Sequence, residues 1–268
     1  MMTESEQTGW ERDGFFVLRG GVDPALATAV EAEVVARIRA DPPERHAGET
    51  AYFSGENYYI YPETEPSPTA KAPEDLVSRV FNCHAEGLAR HLAEQPQVVE
   101  RVAAILGPDI DCFQSQFILK NPGVIGQPWH QDSHYFKFDR QPQVGVWVAL
   151  SEATLENGCL WVVPGSHAAG EIFEHVPDRR PAANRGYLEI VSQDTSGRAP
   201  ALMEPGDVLF FHSYLMHMST DNVADSRRVA MVYHYGRAGT QIVAPPENVA
   251  NLERVQRWVP VRRAAEAA

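Results

Sequence analysis

DIDCFQSQFILK, residues 109–120, follows Gly107-Pro108 and changes the character of the chain. Read at a period of two, Phe113, Phe117 and Leu119 fall on one face and Gln114, Gln116 and Lys120 on the other. That is the alternation of a β-strand with one apolar and one polar side. The polar side either lines a cavity or faces water, and periodicity alone does not separate the two. Four further runs of this kind follow, VGVWVAL (144–150), CLWVV (159–163), DVLFFH (207–212) and RVAMVYHY (228–235), each bounded by turn residues. Short strands spaced in this way predict an all-β half.

Toward the N-terminus the pattern differs. GFFVLRG (14–20) reads as a short strand, after which Asp23 and Pro24 take the cap and first-turn positions of a helix running to about Arg39. Residues 40–73, including YFSGENYYIYPETEPSPT (52–69), are rich in prolines, glycines and aromatics without a helical period. They read as a long loop, and Tyr52 to Tyr61 is a candidate cover for a pocket. Two helical segments are expected from Glu74 to about Leu106, broken near Gln95-Pro96. The expected organisation is one domain over residues 1–268, with a helical N-terminal part to about 108, a β core over about 109–240 and a tail over 241–268 that ends Ala-rich at 264–268.

The chain has 268 residues and a net charge of −13. Such a charge repels phosphate backbones and anionic lipid, which argues against nucleic acid or a membrane surface as partner. Cys83, Cys112 and Cys159 have no C-x-x-C spacing, so a disulfide framework or thiolate zinc site is not expected and a reducing cytoplasm is. The opening MMTESEQTGWERDG lacks the basic and apolar regions of a signal peptide, and no run is long enough to span a bilayer. A monomer or homodimer acting on a small molecule is the expectation.

QPWHQDSHYF, residues 127–136, places His130, Asp132 and His134 at alternate positions. In an extended strand all three would project from one face. His130 and Asp132 could supply two metal ligands, with a third histidine arriving from a later strand; His212, His217 and His234 are the candidates. Two histidines and one carboxylate on one side of a metal leave the opposite positions open, the arrangement used by non-haem Fe(II) oxygenases.

WHQD at 129–132, ENGCLWVVPGSH at 156–167 and HMSTDNVADSRR at 217–228 together resemble the phytanoyl-CoA dioxygenase family of Fe(II)- and 2-oxoglutarate-dependent oxygenases. The likeness extends from about Gly14 to Tyr235. It implies a mainly β fold with flanking α-helices, a cupin-like double-stranded β-helix or jelly roll. It also implies Fe(II) as cofactor, 2-oxoglutarate and O2 as co-substrates, and hydroxylation of an unactivated C–H bond with release of succinate and CO2.

By the same resemblance His130, Asp132 and His217 are the catalytic metal ligands. Ser219, Asn222 and Arg228 stand at the family's distances after His217, and Arg228 is the expected partner of the far carboxylate of 2-oxoglutarate, a task suited to a guanidinium fork. Its neighbour Arg227 would point the other way. Gln114 and Trp147 match co-substrate positions, while Gln116, Lys120, Gln131 and His134 are assigned to substrate and His167 to ordering a nearby loop. Lys120, Lys137 and Arg140 could accept a carboxylate or phosphate. His46, His84, His91 and His212 are read as surface or satisfied core residues.

Three rivals remain. A halogenase would leave the carboxylate position vacant, and Asp132 fills it. A non-catalytic jelly-roll binding protein would have lost a ligand or Arg228. A metal hydrolase would not require 2-oxoglutarate. Desaturation or ring formation would use the same residues as hydroxylation.

Overall fold

Thr3 and Glu6 form a reciprocal capping box that starts α1 (Glu4–Asp13), and Gly14, at φ 81°, closes it in the left-handed conformation. β1 (Phe15–Leu18) follows, then α2 (Pro24–Ala40), where Asp23 accepts a hydrogen bond from the Ala25 N–H and Pro24 opens the first turn. Ala27, Val30, Val34 and Ile38 give α2 one fully buried stripe at helical spacing. In the computed structural model of the chain, residues 2–67, 70–180 and 186–264 are described, except for the side chains of residues 246–248. The last four residues of the Ala-rich tail lie outside them.

The expected long loop is instead a hairpin, β2 (Tyr52–Ser54) and β3 (Tyr58–Pro62), turned at Gly55 with φ 68°. Of the two helical segments expected on either side of Gln95-Pro96, the second is α4 (Pro96–Leu106) and the first is shortened to α3 (Gly87–Ala93), its beginning taken by β4 (Val77–Phe81). The aromatic and β-branched residues of these stretches fit a pleated surface, but runs such as YYIYP show no apolar–polar alternation in sequence.

The remaining elements are β5 (Ile110–Lys120), β6 (Val144–Ala149), β7 (Leu160–Val162), β8 (Val176–Pro177), β9 (Leu188–Glu189), β10 (Ala199–Ala201), β11 (Val208–His212), β12 (His217–Ser219), β13 (Arg228–Arg237), α5 (Pro246–Val255) and β14 (Val259–Arg262). The large sheet runs β1-β11-β6-β13-β5-β4-β3-β2, with β14 added beside β5, and the small one β10-β7-β12; all these pairings are antiparallel. One face of the large sheet packs on the helices through residues such as Val30, Leu92, Phe117, Leu119, Val229 and Met231. The other packs on the small sheet, where Trp147, Ala230 and Val232 meet Val162 and Ala201. Two facing antiparallel sheets with helices on one outer face make a double-stranded β-helix, or jelly roll.

Register assigns the faces. Arg228, Ala230, Val232 and His234 on β13 stand opposite Lys120, Ile118, Gln116 and Gln114 on β5, and this row faces the small sheet. The polar side of DIDCFQSQFILK therefore lines a cavity. Phe113 departs from the expected pattern: the register shifts between His234 and Tyr235, and the bulge turns Phe113 away from the Phe117 face to pack with Phe136, Phe138 and Trp258. No helix among the described residues is long and apolar enough to cross a membrane.

Candidate active site

The large and small sheets enclose a cavity of about 430 Å3. His130 enters it from the end of the small sheet, where its N–H and C=O exchange hydrogen bonds with His217, both at 3.0 Å. The chain then stops being extended. A 3-10 turn begins at Asp132, with the Tyr135 N–H donating to Asp132 O at 2.9 Å. This corrects the single-strand reading of His130, Asp132 and His134. The turn swings Asp132 back beneath His130 and sends His134 outward, where it stacks on His175 at 3.9 Å between ring centroids.

His130, Asp132 and His217 are buried, and one ligand atom from each lies within 4.8 Å of the others. Asp132 Oδ1 is 3.7 Å from Nε2 of both histidines. His130 Nδ1 donates to Pro128 O at 2.8 Å and His217 Nδ1 to Leu215 O at 3.0 Å. A carbonyl can only accept, so both Nδ1 atoms carry the proton and both Nε2 lone pairs face the common point. Burial, reinforced by the neighbouring His217, pushes the His130 imidazole down to about 3 and keeps it neutral. Burial works to raise the Asp132 carboxyl, yet the imidazoles of His217 and His234 outweigh it and hold the group well below the usual carboxylate range. A neutral His130 imidazole and an ionised Asp132 carboxylate are protonation states that metal binding requires.

His234 was one of three candidates for the third ligand. It instead approaches Asp132 from behind, its Nε2 at 2.9 Å from Oδ2, leaving Oδ1 to face the histidines. His212 lies outside the cavity against Trp10 and His167, accepting the Tyr214 N–H at Nδ1.

Farther along the same face of β13, Arg228 is 2% exposed, and its Nε and Nη1 have no hydrogen-bond partner. Burial pushes it down to about 10, so it stays charged at neutral pH. Its guanidinium lies over the Trp147 ring at 5.5 Å. Arg227 points out of the cavity, paired with Asp75 and with Asn121 Oδ1. Ser219 Oγ accepts from Lys120 Nζ at 2.7 Å and from the Gln127 N–H at 3.1 Å. Both hydroxyl lone pairs are then engaged, so its own proton is left to donate into the cavity. Asn222 fastens the connection from Ser219 to Arg228 by donating to Lys120 O and Ser226 O.

The other sequence candidates separate. Gln114, Gln116, Lys120 and Trp147 line the cavity, and Gln116 Nε2 donates to Gln114 Oε1 at 3.1 Å. Gln131 and His134 do not line it. Fully buried, Gln131 donates to Glu171 O and Tyr214 O and accepts from the Phe173 N–H, which ties two loops to the turn at Asp132. His167 packs behind β11 against Gly14 and His212. The Tyr52–Tyr61 stretch contributes Tyr61 to the cavity wall, whereas Tyr52 and Tyr58 turn to the helix-side core. His84, buried, is satisfied by Ser115 and Arg257 O. Sequence reading missed Arg79 and Tyr187, both on the cavity wall.

A jelly roll that gathers two histidines and one carboxylate around a point has the donor set of the facial-triad metalloproteins. The chain belongs to the phytanoyl-CoA dioxygenase (PhyH) family, whose profile matches residues 10–230. It is 28% identical to mouse peroxisomal phytanoyl-CoA dioxygenase over 266 residues, covering 93% of this chain and 74% of the relative. In fold it is similar to the non-heme monooxygenase ThoJ, with TM-score 0.67 and 22% identity over 96% of this chain and 83% of that one. It is also similar to the epimerase SnoN, solved with Fe3+, alpha ketoglutarate and nogalamycin RO, with TM-score 0.64 and 20% identity over 93% and 88% of the two chains.

Proposed function

We propose that this protein is an Fe(II)- and 2-oxoglutarate-dependent oxygenase that hydroxylates an unactivated C–H bond of a small molecule. The carrying observation is Arg228, a buried guanidinium with unpartnered N–H groups that faces the same cavity as the triad. A buried cation left without an anion is costly, and a bound carboxylate removes that cost.

The residues fit the metal in number, burial and protonation. His130, Asp132 and His217 would hold Fe(II), which, with 2-oxoglutarate and O2, supplies the oxidising power for C–H cleavage and releases succinate and CO2. The chain's own residues do the rest. Arg228, the Ser219 hydroxyl and Lys120 receive and orient the far carboxylate of the co-substrate. His234 holds the Asp132 carboxylate at one angle. Trp147, Phe211 and Leu160 exclude water beside the triad, and the remaining wall fixes which carbon of the substrate would face it. The three cysteines are free and buried, which suits a reducing cytoplasm as the compartment.

The test is succinate release from 2-oxoglutarate by Fe(II)-loaded protein across a substrate library, with mass spectrometry of the product. A product heavier by one oxygen atom supports hydroxylation. A product of unchanged mass and altered stereochemistry supports epimerisation, the activity named for SnoN. Turnover that does not need 2-oxoglutarate overturns the reading.

A further inference from the structure

The charge on the cavity wall is opposite in sign to that of the whole chain. Among the described residues its charged side chains are Arg79, Lys120 and Arg228 against one carboxylate, that of Asp132. Resting on the reading above, Asp132 belongs to the metal, and a 2-oxoglutarate dianion answers Arg228 and, through Ser219, Lys120. Arg79 is the cation that this account leaves over.

Arg79 sits on β4 directly opposite Ile118 of β5 and Tyr61 of β3, so its side chain shares the cavity face with them. Its Nη1 donates to Gln116 Oε1 at 3.0 Å and its Nη2 to the Tyr187 hydroxyl at 2.6 Å, with the guanidinium 5.6 Å from the Tyr187 ring centroid. Both acceptors are neutral, and among the described residues no carboxylate pairs with it. Gln116 and Gln114 lead back from Arg79 to the row of His234, behind the Asp132 carboxylate. By register Arg79 stands opposite Ile118, between Lys120 at the co-substrate end and Gln114 beside His234 at the metal end, and its fork reaches Gln116 on the metal side. A guanidinium has five N–H donors, and two are used here to fix the fork in place while the rest remain available. Tyr61, Phe81 and Tyr135 supply apolar surface beside it.

We propose that Arg79 is the specificity-determining residue for substrate: it binds an anionic group, a carboxylate, of a molecule whose apolar body lies against Tyr61, Phe81 and Tyr135. Tyr187 and Gln116 act as positioning residues that hold the guanidinium fork. Recognition of one end in this way would fix which carbon of the substrate faces the metal.

The test uses Fe(II)-loaded protein saturated with 2-oxoglutarate. The probes are straight-chain, branched and aryl-substituted carboxylic acids, each paired with its methyl ester and with the corresponding alkyl phosphate, and the readouts are anaerobic binding and stimulated succinate release. The expected result is binding of at least one acid about tenfold or more tighter than its ester, the size of effect that a charge-assisted hydrogen bond of ~1.5–3 kcal/mol gives. Arg79→Gln should abolish that preference through KM more than kcat, and Arg79→Lys should restore part of it, which a purely structural residue would not do. A preference for alkyl phosphates that Arg79→Gln also removes would keep the anion site and replace carboxylate by phosphoryl. Equal binding of acids and esters, or no acid binding at all, overturns the proposal while leaving 2-oxoglutarate binding to judge the enzyme reading. If Arg79→Gln weakens 2-oxoglutarate as much as the acid, Arg79 serves the co-substrate and the proposal fails.

Discussion

His234 Nε2 lies 2.9 Å from Asp132 Oδ2, and both groups are buried. A carboxylate accepts, so His234 donates, and one oxygen of Asp132 is thereby committed to holding the other toward His130 and His217. Replacing His234 by Phe should leave the carboxylate free to rotate and weaken Fe(II) binding by roughly ten- to a hundredfold, as loss of a ligand's supporting hydrogen bond does. His234→Gln, which can still donate, should recover part of that loss. Unchanged metal affinity in His234→Phe, measured by competition with a fluorescent chelator, would remove His234 from the site.

Outward stacking of His134 on His175 gives a prediction of opposite kind. His134→Ala should retain Fe(II) affinity within about twofold, because the half-buried ring stacks on His175 and its loss leaves the three ligand side chains in place. Loss of iron from that variant would restore the extended-strand geometry and make His134 a ligand.

How far the sequence reached is visible in these two histidines. Alternation at 130, 132 and 134 suggested one strand face, but a 3-10 turn at Asp132 breaks the period after a single bridged residue. Nothing local marks that turn. On β13 the period holds for eight residues, and parity from Arg228 would have placed His234 inward, so that signal was present. The strands of the β core were legible because one face of each buries apolar residues at a period of two. Phe113 escaped because a bulge depends on the partner strand. β2, β3 and β4 escaped because their short runs lie among prolines and glycines and show no clean alternation, while β4 pairs with β5 across two intervening helices; with them went Arg79 and Tyr61 as wall residues.

His84 connects the fold to pH. Burial pushes its imidazole down to about 4, and it is neutral between Ser115 Oγ and Arg257 O. In the unfolded chain it titrates near about 6.5. Below that value the unfolded chain binds a proton that the folded one does not. Its contribution is therefore complete above about pH 6.5 and is lost as pH falls toward 4, at up to about 1.4 kcal/mol per pH unit. Urea unfolding of the metal-free protein across that range should show a slope shallower by about this amount in His84→Gln. Identical slopes would mean that His84 is protonated in the fold.

Lys120 and Ser219 supply a graded test of the co-substrate end. Ser219→Ala removes one neutral donor and should raise the KM for 2-oxoglutarate by about three- to tenfold, the value of a single hydrogen bond. Lys120→Met also removes a charge and should raise it further. Steady-state kinetics in 2-oxoglutarate would show the reverse order if Lys120 serves the substrate alone.

The central claim is that Arg228 receives a carboxylate of 2-oxoglutarate beside the metal triad, and calorimetric titration of 2-oxoglutarate into anaerobic Fe(II)-loaded protein tests it most directly. Arg228→Ala should weaken binding by about thirtyfold or more, since the loss of a buried charge-assisted pair costs ~2–5 kcal/mol. Arg227→Ala, which removes an outward pair with Asp75, should leave that affinity near the wild-type value. Tight 2-oxoglutarate binding by Arg228→Ala, or its loss in Arg227→Ala instead, would contradict the account.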